Sequence, residues 1–109
     1  ELAAIAGAVL GARLNAVPVM LDGYVCTAAA SVLEATISGA LDHCQVGHVS
    51  SEPGHQRLLE KLNKTALINF EMRLGEASGA ALAVGLLKAA AACHSGMATF
   101  AEAGVSDKE

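Results

Sequence analysis

The segment VPVMLDGYVCTAAASVLEATISGALDHCQVGHV, residues 17–49, has two short apolar runs, at 17–21 and 44–49, on either side of an alanine-rich stretch. Short apolar runs that end in turn residues, as the first does at Asp22-Gly23, are typical of strands buried on both faces. From Val25 to about Ala40 the apolar residues recur with a period near 3.6, which predicts a helix. Strand, helix and strand in this order make a βαβ unit with parallel strands. The predicted fold class is α/β.

The flanking segments add helices and at most one further strand. Residues 1–14 and about 78–93 are alanine-rich and predict closely packed helices, and Pro53 suits the first turn of a helix that runs to Leu62. Residues 65–70 fit either a third strand or a short helix. Parallel sheets usually need more strands than this, with helices on both faces. We therefore expect part of a parallel-sheet (Rossmann-like) domain, an incomplete fragment of a larger fold.

The composition excludes several classes of protein. The chain has 109 residues, 53% of them hydrophobic and 3% aromatic, and about a fifth are alanine, which favours packed helices over an all-β fold. A net charge of -4 with singly scattered Lys and Arg leaves no basic patch for a nucleic acid. The longest apolar stretch, 77–93, is interrupted by Ser78 and Lys88 and is shorter than the roughly 20 residues that span a bilayer. It predicts a buried helix and no membrane partner.

The cysteines and histidines give little sign of metal or nucleophile chemistry. Three cysteines at wide spacing, without a CxxC pair, favour reduced, buried thiols in a cytoplasmic protein over disulfides or a zinc site. If His43 and His48 both lie on one strand, they are an odd number of residues apart and point to opposite faces. No HExxH motif accompanies them. We expect no metal site.

Polar groups follow both predicted strands, at the sheet edge where ligands of parallel sheets bind. Asp22 follows the first strand and is read either as a turn cap or as a ligand contact. Residues 50–55, SSEPGH, follow the second strand. Their hydroxyls and the next helix N-terminus could hold a phosphate, although an ordinary Pro-Gly turn with serine caps explains the spacing equally well.

The third candidate is LGEASG, residues 74–79, directly before the last apolar helix. Its small residues would let a flat ligand approach the backbone beside Glu76. The competing interpretation is a glutamate that merely stabilises the start of its helix. The segment matches neither the dinucleotide fingerprint nor the P-loop.

Four motifs together resemble one family in order and spacing. They are LDG at 21–23, SSEPGH at 50–55, LGEASGAAL at 74–82 and ATFAEAGVSD at 98–107. The sequence resembles the carboxyl-terminal part of the nicotinate-nucleotide:dimethylbenzimidazole phosphoribosyltransferases. The similarity extends over nearly the whole chain, residues 1–109, as one part of a single phosphoribosyltransferase domain. It implies that an amino-terminal portion is absent.

The resemblance implies a reaction and a set of site residues. Members transfer the phosphoribosyl group of nicotinate mononucleotide to 5,6-dimethylbenzimidazole, giving α-ribazole 5'-phosphate and nicotinate in cobalamin lower-ligand synthesis. Glu76 corresponds to their catalytic base. Ser50 and Ser51 correspond to the turn that holds the ribose phosphate. Backbone around the glutamate lines the site, which here means Leu74, Gly75, Ser78 and Gly79. Ala77 stands where the family usually has Gly.

The chemistry of the acceptor explains why a carboxylate is needed. One benzimidazole nitrogen attacks the anomeric carbon while the other must lose its proton, and a carboxylate among apolar side chains near Leu74 suits that proton transfer. The nicotinate of the donor is already a good leaving group, so no metal or other cofactor is expected. The resemblance also implies a cytoplasmic homodimer whose partners are small-molecule substrates.

Two other hypotheses remain open. One is a non-catalytic α/β module whose alanine-rich faces mediate assembly or dimerisation. The other is a related phosphoribosyl or phosphosugar enzyme that uses a different acceptor base. Binding of nicotinate mononucleotide and of a panel of purines and benzimidazoles distinguishes the three.

Overall fold

A computed structural model describes residues 1–106. Asp107, which ends the fourth motif, lies outside the described residues. The elements, in chain order, are α1 (Leu2–Leu14), β1 (Val19–Leu21), α2 (Tyr24–Thr36), β2 (Cys44–His48), α3 (Pro53–Lys61), β3 (Ala66–Ile68) and α4 (Ser78–Gly96).

The three strands form one parallel sheet in the order β1-β2-β3. Leu21 lies beside Val46, and His48 lies beside Ile68. The α/β class and the βαβ unit are thus confirmed. Residues 66–68 form a strand, which settles the alternative left open for 65–70. Because all three strands run the same way, their carboxyl ends meet at one edge of the sheet.

The core lies where α1, α2 and α3 pack on the sheet. Its members are buried aliphatic side chains, a small alanine and one thiol: Val9, Leu21, Ala30, Leu41, Cys44, Val46 and Leu59. Alanine at the contact between α1 and α2 lets the helices approach closely, as the composition suggested. Burial raises the pKa of the Cys44 thiol, so this cysteine stays a protonated, unreactive core group. Cys93 was expected to be buried, but it is exposed.

The last helix differs from its prediction. Within α4 only Gly79 and Ala83 are buried, whereas Leu82, Leu86 and Leu87 are about half exposed. The prediction of a buried helix is therefore wrong for this structure: α4 contacts all three strands, but the described residues cover only a small part of its surface. By length and composition alone α4 could cross a membrane, a test that core helices of soluble proteins also meet.

The chain is also less compact than a self-contained domain of its length. Its radius of gyration is 17.1 Å, against about 13 Å for a compact domain of 100 residues. The edge strands β1 and β3 each lack a neighbour on one side in the described structure. These features agree with the expectation of an incomplete part of a larger fold.

Candidate active site

A cleft of about 500 Å³ opens at the carboxyl edge of the sheet. It is built by the segments that follow β1, β2 and β3, together with Glu1. Its lining residues are Glu1, 22–26, His48, Ser50, Glu52 and 73–77. The structure thus brings the three candidate segments of the sequence to one place.

Ser50 is held by a buried hydrogen-bond network. Its backbone N–H donates to Nδ1 of His55 at 2.9 Å, and the Nε2 of His55 lies 3.2 Å from Oγ1 of Thr27. Since Nδ1 accepts, the proton is on Nε2 and donates to Thr27, whose hydroxyl donates to the carbonyl of Gly23 at 2.8 Å. Burial, with a smaller effect of His48, lowers the pKa of His55 and keeps the ring neutral. The network ties the β2–α3 turn to the β1–α2 turn.

The Ser50 side chain lines the cleft and is 8% exposed. Its Oγ accepts the backbone N–H of Glu52 at 3.2 Å. A hydroxyl has one proton and two lone pairs, so this contact leaves the proton able to donate to a ligand oxygen. Ser50 therefore has the position and chemistry of a phosphate or ribose contact.

Ser51 has a different environment. Its side chain is exposed and is not among the residues that line the cleft. Its Oγ donates to the carbonyl of Glu71 at 3.1 Å, with the carbonyl of Met72 at 3.2 Å, and its backbone N–H also reaches Met72. Ser51 thus fastens the loop that leads from β3 into the Glu76 segment.

The segment before α4 has an unusual backbone. Gly75, Glu76 and Ala77 have φ angles of 76°, 54° and 59°, three left-handed residues in succession. The left-handed region disfavours any residue with a Cβ, and such strain clusters at functional sites. The unusual conformation turns the chain sharply so that Glu76 faces the cleft before the helix begins.

The surroundings of Glu76 differ from the expectation. Glu76 is exposed and Leu74 is 76% exposed. The apolar environment expected near Leu74 is therefore absent from the described residues, because nothing in them packs over that side of the cleft. Leu74, Gly75 and Glu76 do line it.

Ser78 and Gly79 begin α4 behind the cleft and are not among its lining residues. Ser78 Oγ is buried without a hydrogen-bond partner among the described residues. Asp22 lies between the cleft and the helix. Its Oδ1 accepts the N–H of Ala80 at 2.8 Å, so it caps α4 and not only its own turn.

We predict that Ala77→Gly stabilises the protein by about 0.5 to 1 kcal/mol, since glycine adopts the left-handed conformation without the Cβ penalty. Thermal or urea unfolding of the full-length protein measures the change. The control is Ala89→Gly, at an exposed position within α4, which should cost about 0.5 to 1 kcal/mol. Equal destabilisation by both substitutions would show that the left-handed backbone at Ala77 carries no Cβ strain.

Within residues 1–106 no three His, Cys, Asp or Glu side chains form a cluster that could hold a metal. His43 lies in the turn before β2, with Nε2 3.0 Å from the carbonyl of Val9. His48 ends β2 at the inner wall of the cleft.

A sequence model of the phosphoribosyltransferase family matches residues 1–105. The chain belongs to this family. Phosphoribosyltransferase relatives named nicotinate-nucleotide–dimethylbenzimidazole phosphoribosyltransferase include those of Rhizobium meliloti (strain 1021), 68% identical, and Sinorhizobium fredii (strain NBRC 101917 / NGR234), 65% identical. Each match covers 100% of the chain and 32% of the relative. The resemblance stated from the motifs is confirmed.

Solved structures give the same result. A crystal structure of the enzyme of that name from Thermus thermophilus is 46% identical, with a TM-score of 0.89 over 99% of this chain and 32% of that one. A second structure, described as CobT from the same organism, gives a TM-score of 0.90 over the same shares. The chain therefore spans about a third of the length of the phosphoribosyltransferases it matches.

Sequence reasoning did not identify every residue of the cleft. Tyr24, His48, Glu52 and Arg73 line it, and Arg73 lies 3.6 Å from the carboxylate of Glu52 across its rim. Tyr24 and Arg73 adjoin motifs already recognised, so proximity in sequence was an available signal. His48 lies one residue before the end of the predicted strand, 44–49, and its nearness to the sheet edge was an equally available signal.

Proposed function

We propose that the full-length protein containing this chain transfers the phosphoribosyl group of nicotinate mononucleotide to 5,6-dimethylbenzimidazole, in cobalamin lower-ligand synthesis. Family membership and the names of the relatives support this reaction. The observation that carries the proposal is that Ser50 and Glu76 line the same cleft. The Ser50 hydroxyl can donate a hydrogen bond to a phosphate there, and the Glu76 carboxylate can accept a proton.

In the proposed reaction Glu76 is the general base. One ring nitrogen of the benzimidazole forms the bond to the anomeric carbon as the bond to nicotinate breaks. The electron pair of that bond neutralises the pyridinium nitrogen of nicotinate. The proton on the other ring nitrogen passes to the Glu76 carboxylate, so no cationic product accumulates. Glu76 lines the cleft, so its carboxylate can reach an acceptor bound there.

The serines and small residues position the donor in this proposal. Ser50 contacts phosphate or ribose through its free hydroxyl proton. Ser51 belongs to the same turn, and its bonds to 71–72 support a role in holding the Glu76 segment. Leu74 and Gly75 line the site beside the carboxylate, and Ser78 and Gly79 support it from behind, at the start of α4. Alignment of the reacting atoms supplies a large share of the rate.

The wider assignments belong to the same proposal. Residues 1–109 form the carboxyl-terminal part of one phosphoribosyltransferase domain, and the remaining polypeptide covers α4 and the sheet edges. The protein acts in the cytoplasm as a homodimer on small-molecule substrates. The alternative of a non-catalytic assembly module is disfavoured, because an assembly face has no need of a strained carboxylate segment at a cleft.

The direct test is nicotinate release by the full-length protein. With nicotinate mononucleotide alone release should stay at background, and adding dimethylbenzimidazole should start it, with one α-ribazole 5'-phosphate formed per nicotinate. Liquid chromatography of both products measures the ratio. Release with a purine but not with a benzimidazole would favour the related-enzyme hypothesis. A folded oligomer that binds neither substrate in calorimetry would favour the assembly module.

A further inference from the structure

His48 is buried in a way that the proposed reaction does not explain. Its side chain is 2% exposed at the inner wall of the cleft, and Nδ1 has no hydrogen-bond partner among the described residues. A buried polar atom without a partner carries its full desolvation penalty, so such atoms are rare without a purpose.

The surroundings of the ring are built to fit it. Gly23 and Gly79 pack against it, and a Cβ at Gly79 would overlap Nδ1. Only glycine at this position lets α4 begin so close to β2. The charged group nearest to Nδ1 is Asp22, whose Oδ1 lies 3.7 Å away. This distance is less than 1 Å longer than a typical N–H···O hydrogen bond.

The Asp22 oxygen connects His48 to the start of α4. The same Oδ1 accepts the N–H of Ala80, which is three residues into the helix that follows Glu76 and Ala77. The orientation of Asp22 therefore sets where the first turn of α4 lies. The position of this first helical turn fixes where the strained Glu76 segment ends.

We infer that His48 is a positioning residue for Glu76. In the substrate complex Nδ1–H donates to Oδ1 of Asp22 and fixes that oxygen on the first turn of α4, so that the carboxylate of Glu76 stays aligned with the acceptor nitrogen. This inference rests on the proposed role of Glu76. It supplies a hydrogen-bond partner for the buried Nδ1 of His48. It also explains why residue 79 is a glycine, since a Cβ there would overlap the ring.

The test compares two amides at position 48 in the full-length protein. His48→Asn places an amide nitrogen near the position of Nδ1, whereas His48→Gln places one near Nε2. Misalignment of reacting groups by about 1 Å costs about 100-fold in rate. We therefore expect His48→Gln to lower kcat by about 10- to 100-fold, while KM for both substrates stays within about 3-fold of the wild-type value. His48→Asn should have a kcat much closer to that of the wild type.

His43→Asn is the matched control, because His43 is a half-buried histidine at the opposite end of β2. It should leave kcat unchanged, even where it lowers the melting temperature. A loss of kcat in His43→Asn equal to that in His48→Gln would mean that turnover only follows stability, which would overturn the inference.

A second pair of variants keeps the test valid if the amides fold poorly. Gly79→Ala should lower the melting temperature, because its Cβ overlaps the ring. The double variant Gly79→Ala with His48→Ala should melt at a higher temperature than Gly79→Ala alone, since the overlapping ring is gone, yet keep a low kcat. Recovery of kcat together with the melting temperature would show that His48 only fills space.

Glu76→Gln, assayed in parallel, separates the two hypotheses. If it retains wild-type turnover, the proposed base is wrong and the inference falls with it. If it is inactive while His48→Asn and His48→Gln have equal kcat values, the base stands and the positioning role of His48 is refuted.

Discussion

Glu76→Gln in the full-length protein should lose about 10² to 10⁴ in turnover, the usual contribution of a general base. The amide keeps the size and shape of the side chain but cannot accept the benzimidazole proton. Because Glu76 is exposed, the free energy of unfolding should hardly change. Initial rates of nicotinate release and a urea titration measure the two quantities.

Glu71→Gln is the matched control for this substitution. Glu71 is also exposed and also has a left-handed backbone, with φ of 54°, but it is not among the residues lining the cleft. Its turnover should equal that of the wild type. A Glu76→Gln protein with full turnover would refute the assignment of the base, whatever the control shows.

His55→Ala should destabilise the protein by about 2 to 4 kcal/mol. The ring is 0% exposed, so its loss leaves a cavity, and the N–H of Ser50 loses its acceptor in a buried place. Ser50 should also shift, so the KM for nicotinate mononucleotide should rise. Denaturant unfolding and steady-state kinetics test the two effects.

His55→Asn and pH provide the checks on this network. The Asn Oδ1 can accept the N–H of Ser50, so this variant should be more stable than His55→Ala. Because the pKa of His55 is lowered in the fold, the unfolded chain binds the proton more readily. The stabilisation is complete above about pH 6.5, the unfolded value, and is lost as the pH falls through the folded value. Equal acid sensitivity of wild type and His55→Asn would contradict this account.

Local signals predicted most of the fold. Asn15 ends α1, and Pro53 begins α3 at its first position, as the turn and cap rules predict. The strand at 66–68 could not be chosen from its three residues. Its identity depends on pairing of Ala66 and Ile68 with β2, a contact that periodicity does not record.

The segments that build the cleft could be named from the sequence, but the individual lining residues and their geometry could not. The rule that parallel strands end at one edge was enough to bring Asp22 and Ser50 together, but it could not place Glu76 while residues 65–70 were undecided between strand and helix. That Asp22 caps a helix 58 residues away could not be inferred, since its own turn offered a nearer use. The exposure of Glu76 and α4 could not be inferred either, since apolar neighbours in the sequence predict burial.

The bond from Asp22 to Ala80 also bears on how the protein folds. It closes a loop of 58 residues that contains two of the three strands. Closing so long a loop costs chain entropy before the contact can form. The bond from Asp22 to the start of α4 therefore forms only after the sheet has assembled. The segment around Glu76 is then among the last parts to order and the first to open. Amide exchange at Ala80 should therefore be faster than at Val46 in the central strand.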